Sequence, residues 1–476
     1  MKTRIRPILL LPGLVLAVAL VAPREALAQS KAPSGGSAFQ VPVDYYKLPN
    51  GLKVVLSRDT TAPTAVVAIY YNIGFRIEPR DRTGFAHLFE HMMFQGSTNL
   101  GKMEFVKLIQ SNGGVFNGST RFDFTNYFEI IPSHALETTL WAEADRMRGL
   151  AITQDNLTNQ QGVVKSEVRV NVLNRPYGGF PWLDLPQYAN TNWYNAHNFY
   201  GDLKDLDAAT LEDVKKFFTT YYSPNNAVLV VVGDFDAAQT KAWIEKYFAG
   251  LPAAPHPKAP DVAEPRQTKE KRASKPDPLA TQPALAIGYQ MPKRNTPEYY
   301  AMGLLDQILL EGKDSRLYEA LVQKSGLTGD VSGGINMLGN MHNIDGPTLW
   351  IASLIHDPDK TPDAILKVFD AEIERLRTTP VDAATLDLAI VKTRSALYDD
   401  MEALFGFGRA DLLASFALFD DDPGKINRLE QEFRRVTPQL LLSTAKEYLR
   451  PTNRTILTIE PKAEAKPAPA APEKKS

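Results

Sequence analysis

Thr83-Gly84-Phe85-Ala86-His87-Leu88-Phe89-Glu90-His91-Met92-Met93-Phe94-Gln95-Gly96 is the stretch on which the reading of this chain turns. At about 100° per residue, a helix there puts His87 and His91 one turn apart on a single face. Imidazoles so spaced can converge on one zinc ion, and Glu90 lies on the same side, close enough to reach a water on the metal. The carboxylate directly precedes the second His, the reverse of the commoner H-E-x-x-H order. With only seven His in 476 residues, the pair is not a by-product of a His-rich composition. The other five (His134, His197, His256, His342 and His356) have no ligand spacing between them and read as solvated or structural.

Catalytic zinc usually takes three protein ligands and leaves a fourth position for water. Glu167, in Gln160-Gln161-Gly162-Val163-Val164-Lys165-Ser166-Glu167-Val168-Arg169, lies 76 residues beyond His91; on its own it would read as an exposed helix glutamate. An H-x-x-E-H motif followed at this distance by a glutamate resembles the pitrilysin/insulinase family of zinc peptidases, which includes the mitochondrial processing peptidase. The resemblance implies His87, His91 and Glu167 on Zn2+ with Glu90 as the base. Further stretches are similar to the same family: Gly114-Val115-Phe116-Asn117-Gly118-Ser119-Thr120-Arg121-Phe122-Asp123-Phe124-Thr125-Asn126-Tyr127, with Gly118 where Ala is usual; Tyr221-Tyr222-Ser223-Pro224-Asn225-Asn226-Ala227 with the apolar run that follows; and Ser315-Arg316-Leu317 followed by Gly326-Leu327. The resemblance covers most of the chain between about Tyr45 and Pro461. It implies an α+β fold of two homologous mixed α/β modules, each a sheet packed with helices, forming half of a clamshell peptidase. The strand near Phe116 to Arg121 is then expected to bind extended peptide substrate at a sheet edge, with Asn117 as the best single contact.

Two departures bear on mechanism. Family members often carry a second glutamate seven residues before the ligand glutamate; here Gln160 stands there and cannot ionise. Many also carry an Arg and a Tyr, seven apart in the second half, that hold the substrate carbonyl. This chain has Val322 and Gly329 at those positions, and neither offers a side-chain donor. An oxyanion donor typically supplies several kcal/mol of transition-state stabilisation. The reading is therefore an exported zinc metalloendopeptidase acting as the zinc-bearing, catalytic subunit of a heterodimer, with a paralogous partner supplying the Arg and Tyr. The competing reading is a non-catalytic interaction or assembly subunit that retains a zinc site. A zinc hydrolase acting on a non-peptide bond is a further alternative.

The N-terminus has the three parts of a signal peptide: Lys2, Arg4 and Arg6, an apolar core from Ile8 to Val21, and Ala26-Leu27-Ala28 before Gln29. Residues 1–28 carry a net charge of +3, so their removal takes the formal charge from −2 to −5. Such a chain has no electrostatic footprint for nucleic acid and, after cleavage, no membrane span is expected. The absence of Cys excludes disulfides, thiolate zinc ligands and a lipid-modified N-terminal Cys; with the leader this favours a bacterial periplasmic or secreted protein.

Along the chain, residues 43–250 read as the zinc-bearing peptidase domain. Residues 251–278, with seven Pro and no apolar period, read as a linker. Residues 279–461 read as a metal-free second domain of the same plan, and residues 462–476 as a disordered tail. The first module opens on a hairpin turning at Asn50-Gly51. Helices are expected over 102–111 and 134–150, the ligand-bearing helix over about 156–173, and one capped by Thr210 with Asp213. Thr296-Pro297-Glu298 marks a helix start in the second module. Setting Gly96 against Gly312 places Gly303, Asp306 and Gln307 where the first module has His87, Glu90 and His91.

Overall fold

The computed structural model describes Phe39 to Lys462; the expected leader and nearly all of the expected tail lie outside the described residues. Asn50-Gly51 makes the first hairpin, with Gly51 at φ +89° between β1 (Asp44–Lys47) and β2 (Lys53–Arg58). With β3 (Thr64–Tyr71), β4 (Val115–Thr120), β5 (Thr125–Pro132) and β6 (Ala227–Gly233), these build a six-stranded sheet in the order β1-β2-β6-β3-β5-β4. A second sheet holds β7 (Lys271–Asp277), β8 (Ala284–Gln290), β9 (Ser332–Ile335), β10 (Leu349–Ile355) and β11 (Arg454–Pro461), in the order β7-β11-β8-β10-β9.

The two sheets share one wiring. β6 runs parallel to β2 and antiparallel to β3, which pairs with β5, which pairs with the edge strand β4. In the same way β11 is parallel to β7 and antiparallel to β8, which pairs with β10, which pairs with the edge strand β9. This correspondence corrects one local expectation. Lys271–Asp277 falls inside the stretch read as a linker, yet it is a strand, the counterpart of β2. Its charged, Pro-containing sequence hid it. At a sheet edge alternate residues face water, and Pro276 is tolerated where no ladder donor is needed.

Helices on the first sheet's functional side include α1 (Phe85–Met92), α2 (Glu104–Ser111), α3 (Leu136–Arg148) and α4 (Gln154–Val168); α5 (Asp184–Ala189) follows them in the chain. Residues alternating along the central strands, such as Val54, Val67, Ile69, Leu229 and Val231, pack under α1, α3 and α4 in one core. Their neighbours Val55, Val66, Ala68, Val228 and Val230 face the opposite way, as the period of two requires. That rear face is covered from the second half, by Ala410–Ala417 of the long helix Ala383–Asp420. The long helix is broken between Ala403 and Gly406, where Leu404, Phe405 and Gly406 take left-handed φ values, and the break turns its second part onto the sheet. The cover is reciprocal. Leu185 and Ala189 of α5, from the first half, pack on Ala286, Leu349, Ile351 and Leu457 on the rear of the second sheet. Each fully buried Leu or Val is worth about 1.5–3 kcal/mol, so this exchange ties the halves firmly together. A buried polar link adds to it: Asp123 pairs with Arg76 and accepts the backbone N–H of Asp345 (2.8 Å) and Gly346 (3.0 Å). From Val41 to Lys462 the chain packs as a single unit. No helix among the described residues is long and apolar enough to cross a membrane.

Candidate metal centre

The pentad forms α1 as its spacing predicts. Leu88 and Phe89 point into the core and are fully buried; His87 and His91 emerge together on the opposite side. Their Nε2 atoms stand 3.3 Å apart, with rings nearly perpendicular at 79°. α4 crosses α1, and Thr153, the cap of α4, accepts from the N–H of Asn156. Asn156 in turn donates its amide to Gln95 O just beyond the pentad (3.2 Å). This docking brings Glu167 onto the two imidazoles: Oε1 lies 3.5 Å from His87 Nε2 and Oε2 lies 3.2 Å from His91 Nε2. Immediately after Glu167 the α-helix ends at Val168 and widens into a π-turn over Arg169–Leu173, a feature frequent at functional sites. The helix expected over about 156–173 is thus one α-helix with a π-helical last turn.

His87, His91 and Glu167 are the one group of three such side chains, among the described residues, whose ligand atoms lie within 4.8 Å of one another. Their donor set fits a zinc ion. Four ligands at about 2.0–2.1 Å from a tetrahedral metal stand roughly 3.3 Å from each other, and the three edges here are 3.2, 3.3 and 3.5 Å. Side-chain hydrogen bonds from His87 first and His91 second hold the Glu167 carboxyl well below the usual carboxylate range, so it stands ready as an anion. His87 is buried while His91 and Glu167 are partly open, which leaves one side of the group accessible.

Glu90 sits beside this group and accepts a hydrogen bond from Thr120 Oγ1 (2.8 Å). Gly118 faces it too: a Cβ at Gly118 would stand 3.2 Å from Glu90 Cγ. Thr120 and Gly118 lie on β4, whose outer side has no strand partner among the described residues. Asn117 points the other way along this strand. It is exposed, its side chain accepting only the N–H of Gly118 (2.9 Å). Gln160 lies two turns before Glu167, buried, and donates to Asn159 (2.7 Å); it is not among the three converging side chains. Val322, on the π-helical turn Tyr318–Lys324, and Gly329, exposed in the loop before β9, belong to the second half and present no polar side chain. Gly303, Asp306 and Gln307 do lie together, on the helix Pro297–Leu309, and line a cavity beside β9. Burial pushes the Asp306 carboxyl up to about 7, opposed by the Trp350 indole that donates to it at 2.6 Å.

Two residues close to the group escape a reading of the sequence. The Tyr200 ring lies edge-on to His87, centroids 5.2 Å apart; burial raises its phenol, with the charges of Glu167 and Glu90 adding to the effect. Glu78, fully buried, accepts the N–H of Gly84 (2.8 Å) and of Ala86 (2.6 Å) at the start of α1. Only one signal for Glu78 exists in the sequence: α1 begins at a glycine, with no Ser, Thr, Asp or Asn to cap it.

Comparison with known proteins agrees with this geometry. Residues 53–176, which span all three converging side chains and Glu90, match the family model "Insulinase (Peptidase family M16)", and residues 208–391 match "Peptidase M16 inactive domain". The chain belongs to the pitrilysin/insulinase (M16) peptidase family. This M16 chain is 28% identical over 421 residues to the zinc protease PqqE of Helicobacter pylori, covering 87% of this chain and 92% of that one. A solved structure of a protease from Helicobacter pylori superposes with a TM-score of 0.80 at 26% identity, covering 88% of this chain and all of the other. The periplasmic protease PqqL of Escherichia coli shares the fold, with a TM-score of 0.71 at 17% identity; the match covers 89% of this chain and 48% of PqqL.

Proposed function

We propose that this chain is an exported zinc metalloendopeptidase, the catalytic subunit of a two-subunit enzyme. The observation that carries the reading is the triangle of His87, His91 and Glu167 at tetrahedral edge lengths, with a carboxylate, Glu90, on the adjoining turn. These three side chains would hold the metal. Zinc, when bound, supplies a Lewis acid and brings the pKa of its water to about 7.

The chain's own residues do the rest. Glu90 takes the proton of the attacking water and gives it to the leaving amine. Thr120 holds Glu90 by one oxygen and leaves the other for that proton. β4 receives the substrate as an added strand, so backbone hydrogen bonds give affinity with little sequence demand; Asn117 adds a side-chain contact. Val322 and Gly329 cannot stabilise the developing oxyanion, and a paralogous partner subunit supplies the Arg and Tyr that do. The match of this chain to about half of PqqL supports pairing of two such units. The leader at residues 1–28 supports export to the periplasm or beyond.

The test uses the full chain without its leader, with denatured proteins and fluorogenic peptides as substrates. Elemental analysis should find one zinc per chain. Glu90→Gln should retain the zinc and lose about 10²–10⁴-fold in kcat, measured in the presence of the partner. Alone, even at high concentration, the chain should turn over little. Robust unpartnered cleavage overturns the pairing. Zinc without cleavage under any partner condition favours the assembly reading that the missing donors keep in play. No bound zinc in a folded, metal-replete preparation overturns the enzyme reading altogether.

A further inference from the structure

Helix α1 has a start that no residue of its own can cap. Its N-cap is Gly84, at φ +84° and without a side-chain cap. A Cβ there would meet Tyr200 O at 3.1 Å and Leu206 Cδ2 at 3.2 Å, so the close approach of the loop 200–206 excludes the Ser, Thr, Asp or Asn that usually fills this place. The first N–H groups of a helix still need acceptors. Glu78, six residues upstream, provides them: Oε2 takes the N–H of Gly84 at 2.8 Å and Oε1 that of Ala86 at 2.6 Å. The next bond, Leu88 N–H to Gly84 O at 2.9 Å, is already intrahelical.

A carboxylate buried to this depth is costly unless its oxygens are satisfied. No Lys, Arg or His pairs with Glu78 among the described residues, and the charge that faces it, Asp205, has the same sign. The compensation comes from the two N–H groups and the positive end of the helix. Burial, the larger influence, pushes the Glu78 carboxyl up to about 8, and the two N–H bonds oppose it; what fastens the turn is the geometry, one N–H donor on each of the two oxygens. His87 directly follows Ala86, so the turn that Glu78 fastens is the turn from which the first imidazole projects. α1 is only eight residues long, too short to hold its own direction by propensity.

We propose that Glu78 is the positioning residue of the metal centre, its two carboxyl oxygens fixing the first turn of α1 so that His87 meets His91 and Glu167. This rests on the metal-binding reading above. Glu78→Gln keeps shape and burial but sets an NH2 group against one of the two N–H donors. The variant is compared with Asp145→Asn, which breaks a buried cap on the loop at Ser97 and Asn99 and touches no part of the metal centre. Zinc affinity is read by competition with a chromophoric chelator, and the visible spectrum of the cobalt(II)-loaded protein reports ligand geometry.

Glu78→Gln should bind zinc about tenfold more weakly and shift the cobalt spectrum, the scale usual for residues that orient metal ligands. Asp145→Asn should lower the melting temperature with zinc affinity unchanged. Wild-type zinc affinity in a folded Glu78→Gln overturns the proposal. A measurement on the unmutated, metal-free chain decides the matter if that variant does not fold. The amides of Gly84 and Ala86 have Glu78 as their acceptor, so they should exchange slowly, and exchange at the rate of an open loop overturns the proposal. If the wild-type chain takes up no zinc, the functional reading fails by itself, and the amide exchange still decides whether Glu78 fixes this turn.

Discussion

Gly201→Ala attacks the same corner of the molecule from the other side. Gly201 has φ +82°, and a Cβ built on it would stand 2.4 Å from Gly84 N and 2.6 Å from both Gly84 Cα and Thr83 C. All three are backbone atoms, so no side chain can swing aside. Restoring an ordinary contact of 3.4 Å means opening the loop from the start of α1 by about 1 Å. A left-handed alanine costs roughly 1–2 kcal/mol, and forced overpacking adds about 1–3 kcal/mol. Together they come to about 2–5 kcal/mol. With an unfolding entropy of about 2.1 cal/mol/K per residue over roughly 420 residues, about 0.9 kcal/mol/K in all, the melting temperature should fall by about 2–6 °C.

The damage should not stay in stability. Tyr200, next in sequence, packs its ring on His87, and Thr83 is held by Asp205 through both its N–H and its hydroxyl. Moving the loop moves both, and zinc affinity should drop about tenfold, equivalent to roughly 1.4 kcal/mol. Scanning calorimetry of the metal-free chain and zinc competition give the two numbers. A Gly201→Ala protein that melts within 1 °C of wild type (about 1 kcal/mol on the same scale) and binds zinc normally would refute the reasoning.

Two other substitutions test the buried charges. Arg146 is fully buried over the Phe105 ring, 3.7 Å from its centroid, and pairs with Glu143 and Glu129. Burial first, and then the neighbouring Glu143, push the Glu129 carboxyl well above the usual carboxylate range, so the cation holds a pair of crowded acids. Arg146→Met leaves that pair without its cation and should cost about 3–5 kcal/mol in urea unfolding; adding Glu129→Gln and Glu143→Gln should recover much of it, and an unchanged single variant would remove the triad from the account. For Asp306, burial raises the folded-state value to about 7, above the roughly 3.9 of an unfolded chain. The unfolded state therefore loses its proton first, and this group subtracts stability as pH climbs from about 4 to 7, then no further. Asp306→Asn should gain on wild type at pH 8 in urea midpoints and lose that gain near pH 4; an equal gain at both pH values would contradict it.

Legibility in the sequence followed the range of the physics involved. The His87–Glu90–His91 face, the Asn50-Gly51 turn, and the caps at Thr210 and Thr296 are set within a few residues, and the structure carries each of them. Glu167 needed the family resemblance, because nothing in its own helix distinguishes it from a surface glutamate. β7 was lost because an edge strand beside β11 tolerates the Pro and charges that read as a tether. Glu78 and Tyr200 act across folded backbone, on Gly84, Ala86 and His87, and no periodicity encodes such contacts. The crossing of Ala410–Ala417 onto the first sheet was equally silent. It depends on a break at Leu404 and Phe405, two residues that rarely take left-handed backbone angles.

That crossing has a consequence for how the polypeptide is born. β6 completes the first sheet at Gly233, and the segment that shields its rear emerges about 180 residues later, roughly 10–35 s at ordinary ribosomal speeds of about 5–20 residues per second. Throughout that interval Val55, Val66, Val228 and Val230 have no lid of their own, so the nascent chain must be chaperoned or kept unfolded until its last quarter arrives.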